Sequence, residues 1–397
     1  MPDNRRAAQS RAALRCTVLR TKLAFNGCRL TAGHKLSGDP RFARFIRTPS
    51  HRRALLALPL VAALIASLPA QSQAQETQIK FQLDWRFEGP SAFFLLPVAQ
   101  GLFKAEKLNV TVDAGNGSGN AVNRVASGTY DMGFADLAAL MEFQANNPTA
   151  PNKPVAVMMV YNNTPAAVFS LKKTGIKTPA DLAGKKLGAP VFDAGRRAFP
   201  IFQKANNVGA VNWVSMDPPL RETMLMRGDV DAITGFYFTS LLNLEARGIK
   251  PEDLAVQLYP QYGVKLYGNA IIASEDFIKK NPEAVKAFLR AFAKGAKQVI
   301  ADPKAATAVV KERDGIINAE LEERRLRLAI DSAIATPDAR AEGFGEVKGP
   351  RLALMASQVA DAYATKSRIN PDAVWTASYL PSAAERDIFA VIKPAKK

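Results

Sequence analysis

From Gln78 onward, short apolar runs alternate with helix-forming stretches, and this alternation restricts the possible folds of the chain most. Strands that alternate with helices build a largely parallel sheet with helices on its faces. In residues 79–83 and 108–112 apolar and polar positions alternate, and residues 130–135 form another strand candidate. Residues 155–161 are a nearly continuous apolar run suited to a buried central strand. Helices are expected between them at 92–103, 120–127 and 137–144. A second cycle starts near Lys173, with helices at 178–182, 196–204, 219–227 and 240–247 and strands at 186–189, 212–216, 230–235 and 254–258. After Gly268 helix follows helix, including a one-sided apolar stripe from Val285 to Ile300 and a charge-laced helix over 320–330. The pattern predicts an α/β fold of two lobes, each a mixed, mainly parallel sheet flanked by helices. Lobe 1 is discontinuous, residues 75–165 and 264–397, and lobe 2 is residues 166–263. Two chain crossings between lobes make a hinge.

Upstream, residues 54–68 carry no charge, follow His51-Arg52-Arg53 and run into Ser72-Gln73-Ala74. Basic, apolar and small segments in that order form a secretory signal peptide, residues 51–74, cut after Ala74. The apolar run falls short of the roughly 20 residues of a spanning helix. Export by the Sec route is expected rather than the twin-arginine route, although Arg52-Arg53 fits a loose twin-arginine pattern. Residues 1–50 read as a basic leader or a mis-assigned start. The expected location is the periplasm.

Both cysteines (Cys16, Cys28) and both histidines (His34, His51) lie upstream of the expected cut. A mature chain without them has no Ser-His-Asp or Cys-His nucleophile, no imidazole or thiolate metal site and no disulfide. No cofactor and no metal are expected. The net charge of +17 is concentrated in residues 1–74, where 13 Lys and Arg face only Asp3 and Asp39. The remainder carries 40 basic against 34 acidic residues, which is no nucleic-acid signature. A monomer with a small-molecule ligand is expected.

Ligands dock beyond the carboxyl ends of strands in open α/β sheets, so strand-end residues are the candidates. Asp84 and Trp85 end the first strand; they offer a carboxylate and an indole face, or else a solvated Asp and a core Trp. Asn116, Gly117 and Ser118 sit in a Gly-rich strand-to-helix loop. It could turn backbone N–H groups toward an acceptor or be a plain flexible connection. The loop is neither a Walker A nor a dinucleotide fingerprint. Asp136 closes a strand and either faces the crevice or caps a helix. Tyr161 lies where the chain first crosses between lobes. In the second lobe Asp193 and Arg196 take the matching strand-to-helix position, where Arg could clamp an anion or lie in solvent. Tyr237, within Phe236-Tyr237-Phe238, could form the opposing wall or belong to the core.

Leu83-Asp84-Trp85 with Ala99-Gln100-Gly101-Leu102-Phe103, then Ala126-Ser127-Gly128-Thr129-Tyr130-Asp131-Met132-Gly133, then Asp181-Leu182-Ala183-Gly184-Lys185 resemble three blocks of one family. These are the periplasmic solute-binding proteins of ABC importers for thiamine-pyrimidine precursors, sulfonates, taurine and nitrate. The resemblance covers residues 79–300 and implies a type II-like periplasmic binding protein fold. It also implies hinge closure on a small ligand and a membrane permease as partner. The Leu-Asp-Trp opening is similar to the pyrimidine-precursor branch, which implies a heterocyclic ligand. That branch often has His where this chain has Ser91. Pyrimidine synthases of the same fold also need that His and a cysteine-rich iron motif, so the resemblance implies a binder and not an enzyme. Sulfonate, nitrate or aromatic carboxylate binding is the alternative, and an enzyme of the precursor pathway is a second.

Overall fold

The computed structural model describes residues 76–392. The basic leader, the signal segment and the cut after Ala74 lie outside the described residues.

The first sheet holds β1 (Thr77–Gln82), β2 (Leu108–Asp113), β3 (Met132–Asp136), β4 (Pro154–Met159) and, from much later in the chain, β10 (Asn269–Ser274). Their order is β2-β1-β3-β10-β4. The second sheet holds β5 (Ala166–Leu171), β6 (Lys186–Ala189), β7 (Asn212–Ser215), β8 (Ala232–Phe236) and β9 (Leu254–Leu258), in the order β7-β6-β8-β5-β9. The chain thus leaves the first sheet after Met159 and rejoins it at Asn269.

Both sheets are mixed, with parallel and antiparallel pairs in equal number. β1 runs parallel to β2 and β3, while β10 runs antiparallel to β3 and β4. The second sheet repeats this plan, with β5 antiparallel to β8 and β9. The antiparallel strands are the ones that enter a sheet directly after a crossing. Sequence periodicity missed both, because β5 and β10 are buried along their whole length and show no alternation.

Helices cover the faces: α1 (Ala92–Ala99), α2 (Ser118–Ala126), α3 (Leu137–Asn146), α4 (Ala194–Ala205), α5 (Arg221–Arg227) and α6 (Tyr237–Glu245). After β10 follow α7 (Glu275–Lys280), α8 (Pro282–Ala301), α9 (Pro303–Arg313), α10 (Ala319–Ala329), α11 (Pro337–Glu342) and α12 (Gly349–Tyr363). The helix expected over 92–103 breaks at Gly101, whose φ of 67° is left-handed. The one expected at 178–182 is only a 3₁₀ turn, Pro179–Leu182, closed by a Thr178–Asp181 capping box.

The apolar stripe of α8 packs into an aromatic seam under the first sheet. Phe288 stacks on Phe81 at 5.3 Å and on Phe103 at 4.7 Å, and Phe94 lies 4.7 Å from Phe81. The C-terminal helices are not confined to one sheet. α12 packs on both α3 and α4, and α10 packs on α6. Among the described residues no helix is long and apolar enough to cross a membrane.

Candidate functional site

Between the strand ends of the two sheets lies a cleft of about 550 Å³, counting the solvent at its mouth. From the first sheet, Asp84 and Trp85 project past β1, Tyr161 past β4, and Gly117 and Ser118 open α2. From the second, Asp193 and Ala194 follow β6, and Phe236 ends β8. Seven expected residues line the cleft: Asp84, Trp85, Gly117, Ser118, Tyr161 and Asp193 near strand ends, and Ser91 in the turn before α1.

The close approach of the two halves depends on glycine. Gly117 has φ 140°, and a Cβ there would meet the Phe192 carbonyl oxygen at 2.2 Å. Next to it the Gly119 N–H donates to that same carbonyl at 3.2 Å.

The walls are aromatic: Trp85, Phe94, Phe134, Tyr161, Phe236 and Phe238. Tyr161 meets Phe134 edge-on at 5.1 Å and Phe238 at 5.8 Å, which ties the crossing to both sides. Polar and charged groups lie among them. Asn269 Nδ2 donates to Asp84 Oδ2 at 2.8 Å. Burial pushes the Asp84 carboxyl up from 3.8 to about 7, against the lowering effect of the Asn269 hydrogen bond. The Trp85 Nε1–H, the Ser118 hydroxyl and the Asn269 Oδ1 are buried without a hydrogen-bond partner. Such groups are costly to bury unless something satisfies them.

Of the two cations lining the cleft, Arg221 is already occupied. Arg221 opens α5 and is buried, with Nη1 donating to Asp193 Oδ2 at 3.0 Å and Nε to Glu222 Oε1 at 3.0 Å. Its guanidinium also covers the Trp85 ring, 5.0 Å from the centroid. Arg86 lies 3.6 Å from Glu88, and its buried Nε–H has no hydrogen-bond partner. The Ser91 hydroxyl accepts from the Glu88 N–H at 3.1 Å in a local cap, which leaves its O–H free to donate.

Four expected residues lie outside the cleft lining. Asn116 is exposed on the outer side of its loop. Asp136 caps α3 behind the cleft, accepting from Ala138 N at 2.9 Å and Ala139 N at 3.3 Å. Burial raises its carboxyl to about 7 despite these bonds. Arg196 turns outward, donating to the Ala189 carbonyl and Ser215 and lying 4.7 Å over Trp213. Tyr237 packs into the core of the second sheet, because Phe236 and Phe238 on either side take the cleft-facing positions. The sequence reading missed Arg221, Glu88, Thr239 and Asn269. Arg221 had one signal: Gly235 at a strand end, where a Cβ would meet its Nη1 at 2.8 Å.

Comparison with known proteins bears on this geometry. The family model described as NMT1/THI5 like matches residues 90–306. The chain is 23% identical over 288 residues to a formylaminopyrimidine-binding protein of Halalkalibacterium halodurans, covering 70% of this chain and 84% of that one. It is 27% identical over 240 residues to a 4-amino-5-hydroxymethyl-2-methylpyrimidine phosphate synthase of Aspergillus parasiticus, covering 58% and 68%. Its fold matches the alkanesulfonate-binding protein SsuA of Xanthomonas axonopodis pv. citri, solved with MOPS, at a TM-score of 0.59. That match is 14% identical and covers 76% of this chain and 97% of the other.

Proposed function

The chain belongs to the NMT1/THI5-like family, and on that premise we propose that it is the extracytoplasmic solute-binding subunit of an ABC importer. Its ligand is a small, flat, uncharged heterocycle of the thiamine-pyrimidine precursor class. The observation that carries the reading is the pairing of an aromatic cleft with the buried Asp84 carboxyl group. A planar ring gains stacking area on Trp85 and its aromatic neighbours, and a ring amine donates to Asp84. The buried Trp85 N–H and Ser118 hydroxyl would meet ring or substituent acceptors.

The same residues argue against an anion. A sulfonate or nitrate needs an uncompensated cation, yet Arg221 is neutralised by Asp193 and Glu222, and Arg86 lies beside Glu88. Placing an anion next to Glu88 and the Asp84 carboxyl would add repulsion in a poorly solvated space. Binding rather than turnover is favoured by the cleft's inventory, which holds no His, Cys or acidic metal cluster among the described residues. The partner is a membrane permease, the location the periplasm, and the mature chain acts as a monomer. Lobes 75–165 with 264–397 and 166–263 close about the crossings near Tyr161 and Tyr267.

A thermal-shift panel on residues 75–397 tests this. We expect 4-amino-5-hydroxymethyl-2-methylpyrimidine to raise the melting temperature, and taurine, nitrate and benzoate to leave it unchanged. A shift with the anions alone would overturn the reading.

A further inference from the structure

Across the cleft from Gly117, a second contact joins the two sheets, and its central residue comes from beyond the family-matched span of 90–306. Arg325 lies on α10 and is 1% exposed, among the largest fully buried side chains. Its guanidinium grips the first turn of α6, the helix that carries cleft residues Phe238 and Thr239. Nη1 donates to the Phe238 carbonyl at 2.9 Å and the Thr239 carbonyl at 2.8 Å, and Nη2 to Asn243 Oδ1 at 2.9 Å. On its own helix Nε donates to Glu322 Oε2 at 2.8 Å. Glu322 in turn accepts from the Gly89 N–H at 2.6 Å. Glu88, which lines the cleft from the first sheet's side, accepts from the Thr239 hydroxyl at 2.7 Å and lies 3.7 Å from Arg325. Arg324 adds an outer ion pair to Glu245 at 2.7 Å.

We propose that Arg325, with the Glu88–Thr239 hydrogen bond, is a latch that holds the cleft closed and sets how long a ligand stays bound. Separating α6 from α10 strips a guanidinium of three acceptors on the far side. It also leaves Glu88 without its hydroxyl donor, and buried charges lose most when their partners are removed. Two of those acceptors, the Phe238 and Thr239 carbonyls, belong to residues at the cleft wall, so the latch is made or broken together with the ligand pocket. Contacts absent from the encounter and present only in the closed form act on dissociation more than on association. Arg325 touches no ligand in this scheme; it is a positioning residue. The reasoning rests on the proposed binding role, but the latch itself can be read without a ligand.

The experiment uses the absence of cysteine from residues 75–397. Nitroxide labels at Lys173→Cys and Lys280→Cys are exposed and follow the ends of β5 and β10 that point away from the crossings. Their distance distribution is measured by double electron–electron resonance, alone and with 4-amino-5-hydroxymethyl-2-methylpyrimidine, and dissociation is followed by stopped flow. Two variants are compared with the parent. Thr239→Val removes the hydroxyl that donates to Glu88 and keeps Arg325 beside that carboxylate. Arg325→Lys keeps the charge but loses the planar fork. We expect both to shift the label distances toward longer values without ligand, and to raise the dissociation rate about tenfold with little change in association. Distances and dissociation rates matching the parent in Thr239→Val would overturn the latch, even if Arg325→Lys failed to fold. If the pyrimidine does not bind the parent, the proposed ligand is refuted, while unshifted or shifted distances still decide the latch.

Discussion

The guanidinium of Arg221, anchored in the second sheet, lies 5.0 Å from the ring centroid of Trp85, anchored in the first. One face of the indole is therefore held by the opposite half of the molecule. The contact completes only when the halves meet, so Trp85 joins ligand stacking to closure. Truncating Trp85 to Ala should cost about 1–3 kcal/mol of ligand binding, roughly 5- to 150-fold in affinity, and leave the fold intact. Calorimetry with the aminopyrimidine, alongside circular dichroism, measures both; unchanged affinity would remove Trp85 from the site.

Arg221 itself should behave as a structural keystone. Arg221→Met strands Asp193 and Glu222 as buried carboxylates and should lower stability by about 3–5 kcal/mol in urea unfolding. Adding Asp193→Asn and Glu222→Gln should restore most of it. A triple variant as unstable as the single one would mean that lost packing, not stranded charge, is the cause.

Gly117 tests the close approach at the other side of the cleft. A Cβ would meet the Phe192 carbonyl at 2.2 Å in a backbone conformation of φ 140°. Gly117→Ala should weaken ligand binding at least about tenfold, because closure pays the strain, about 1.4 kcal/mol or more. Wild-type affinity in titration calorimetry would show that the two halves need not approach so closely.

Burial raises Asp84 and Asp136 to about 7 from 3.8, so the folded chain holds protons that the unfolded chain has released. Stability from these groups is complete below about pH 4 and declines as pH rises toward 7. Asp84→Asn and Asp136→Asn should each flatten that decline in melting-temperature profiles, by an amount on the order of a few kcal/mol at neutral pH. Asn can still cap α3 at position 136, so the flattening should not come with helix loss. A profile in Asp136→Asn that falls as steeply as the parent's would place the proton elsewhere.

Much of the cleft was legible because strand-end position is a sequence property. Asp84, Trp85, Tyr161 and Asp193 each follow an apolar run, and the Gly-rich loop marks Gly117 and Ser118. Side-chain direction was less legible. Arg196 and Arg221 both open helices after strands, yet Arg196 faces outward onto Trp213 while Arg221 passes beneath Gly235 into the cleft. Nothing local separates them; the deciding atom, the missing Gly235 Cβ, is contributed by another strand. The charge-laced pattern of residues 320–330 suggests a solvated helix, but Glu322 and Arg325 are buried because α10 lies on α6. Strands β5 and β10 escaped notice for the opposite reason: burial on both faces erases the alternation that marks a strand.

The central claim is that the cleft takes a neutral heterocycle and refuses anions. Titration calorimetry of residues 75–397 at pH 7 with 4-amino-5-hydroxymethyl-2-methylpyrimidine and, separately, with taurine tests it most directly. The account predicts saturable binding of the pyrimidine with a Kd of about 1 μM or tighter, near −8 kcal/mol, and no heat from taurine. Saturable binding of taurine with none of the pyrimidine would contradict it.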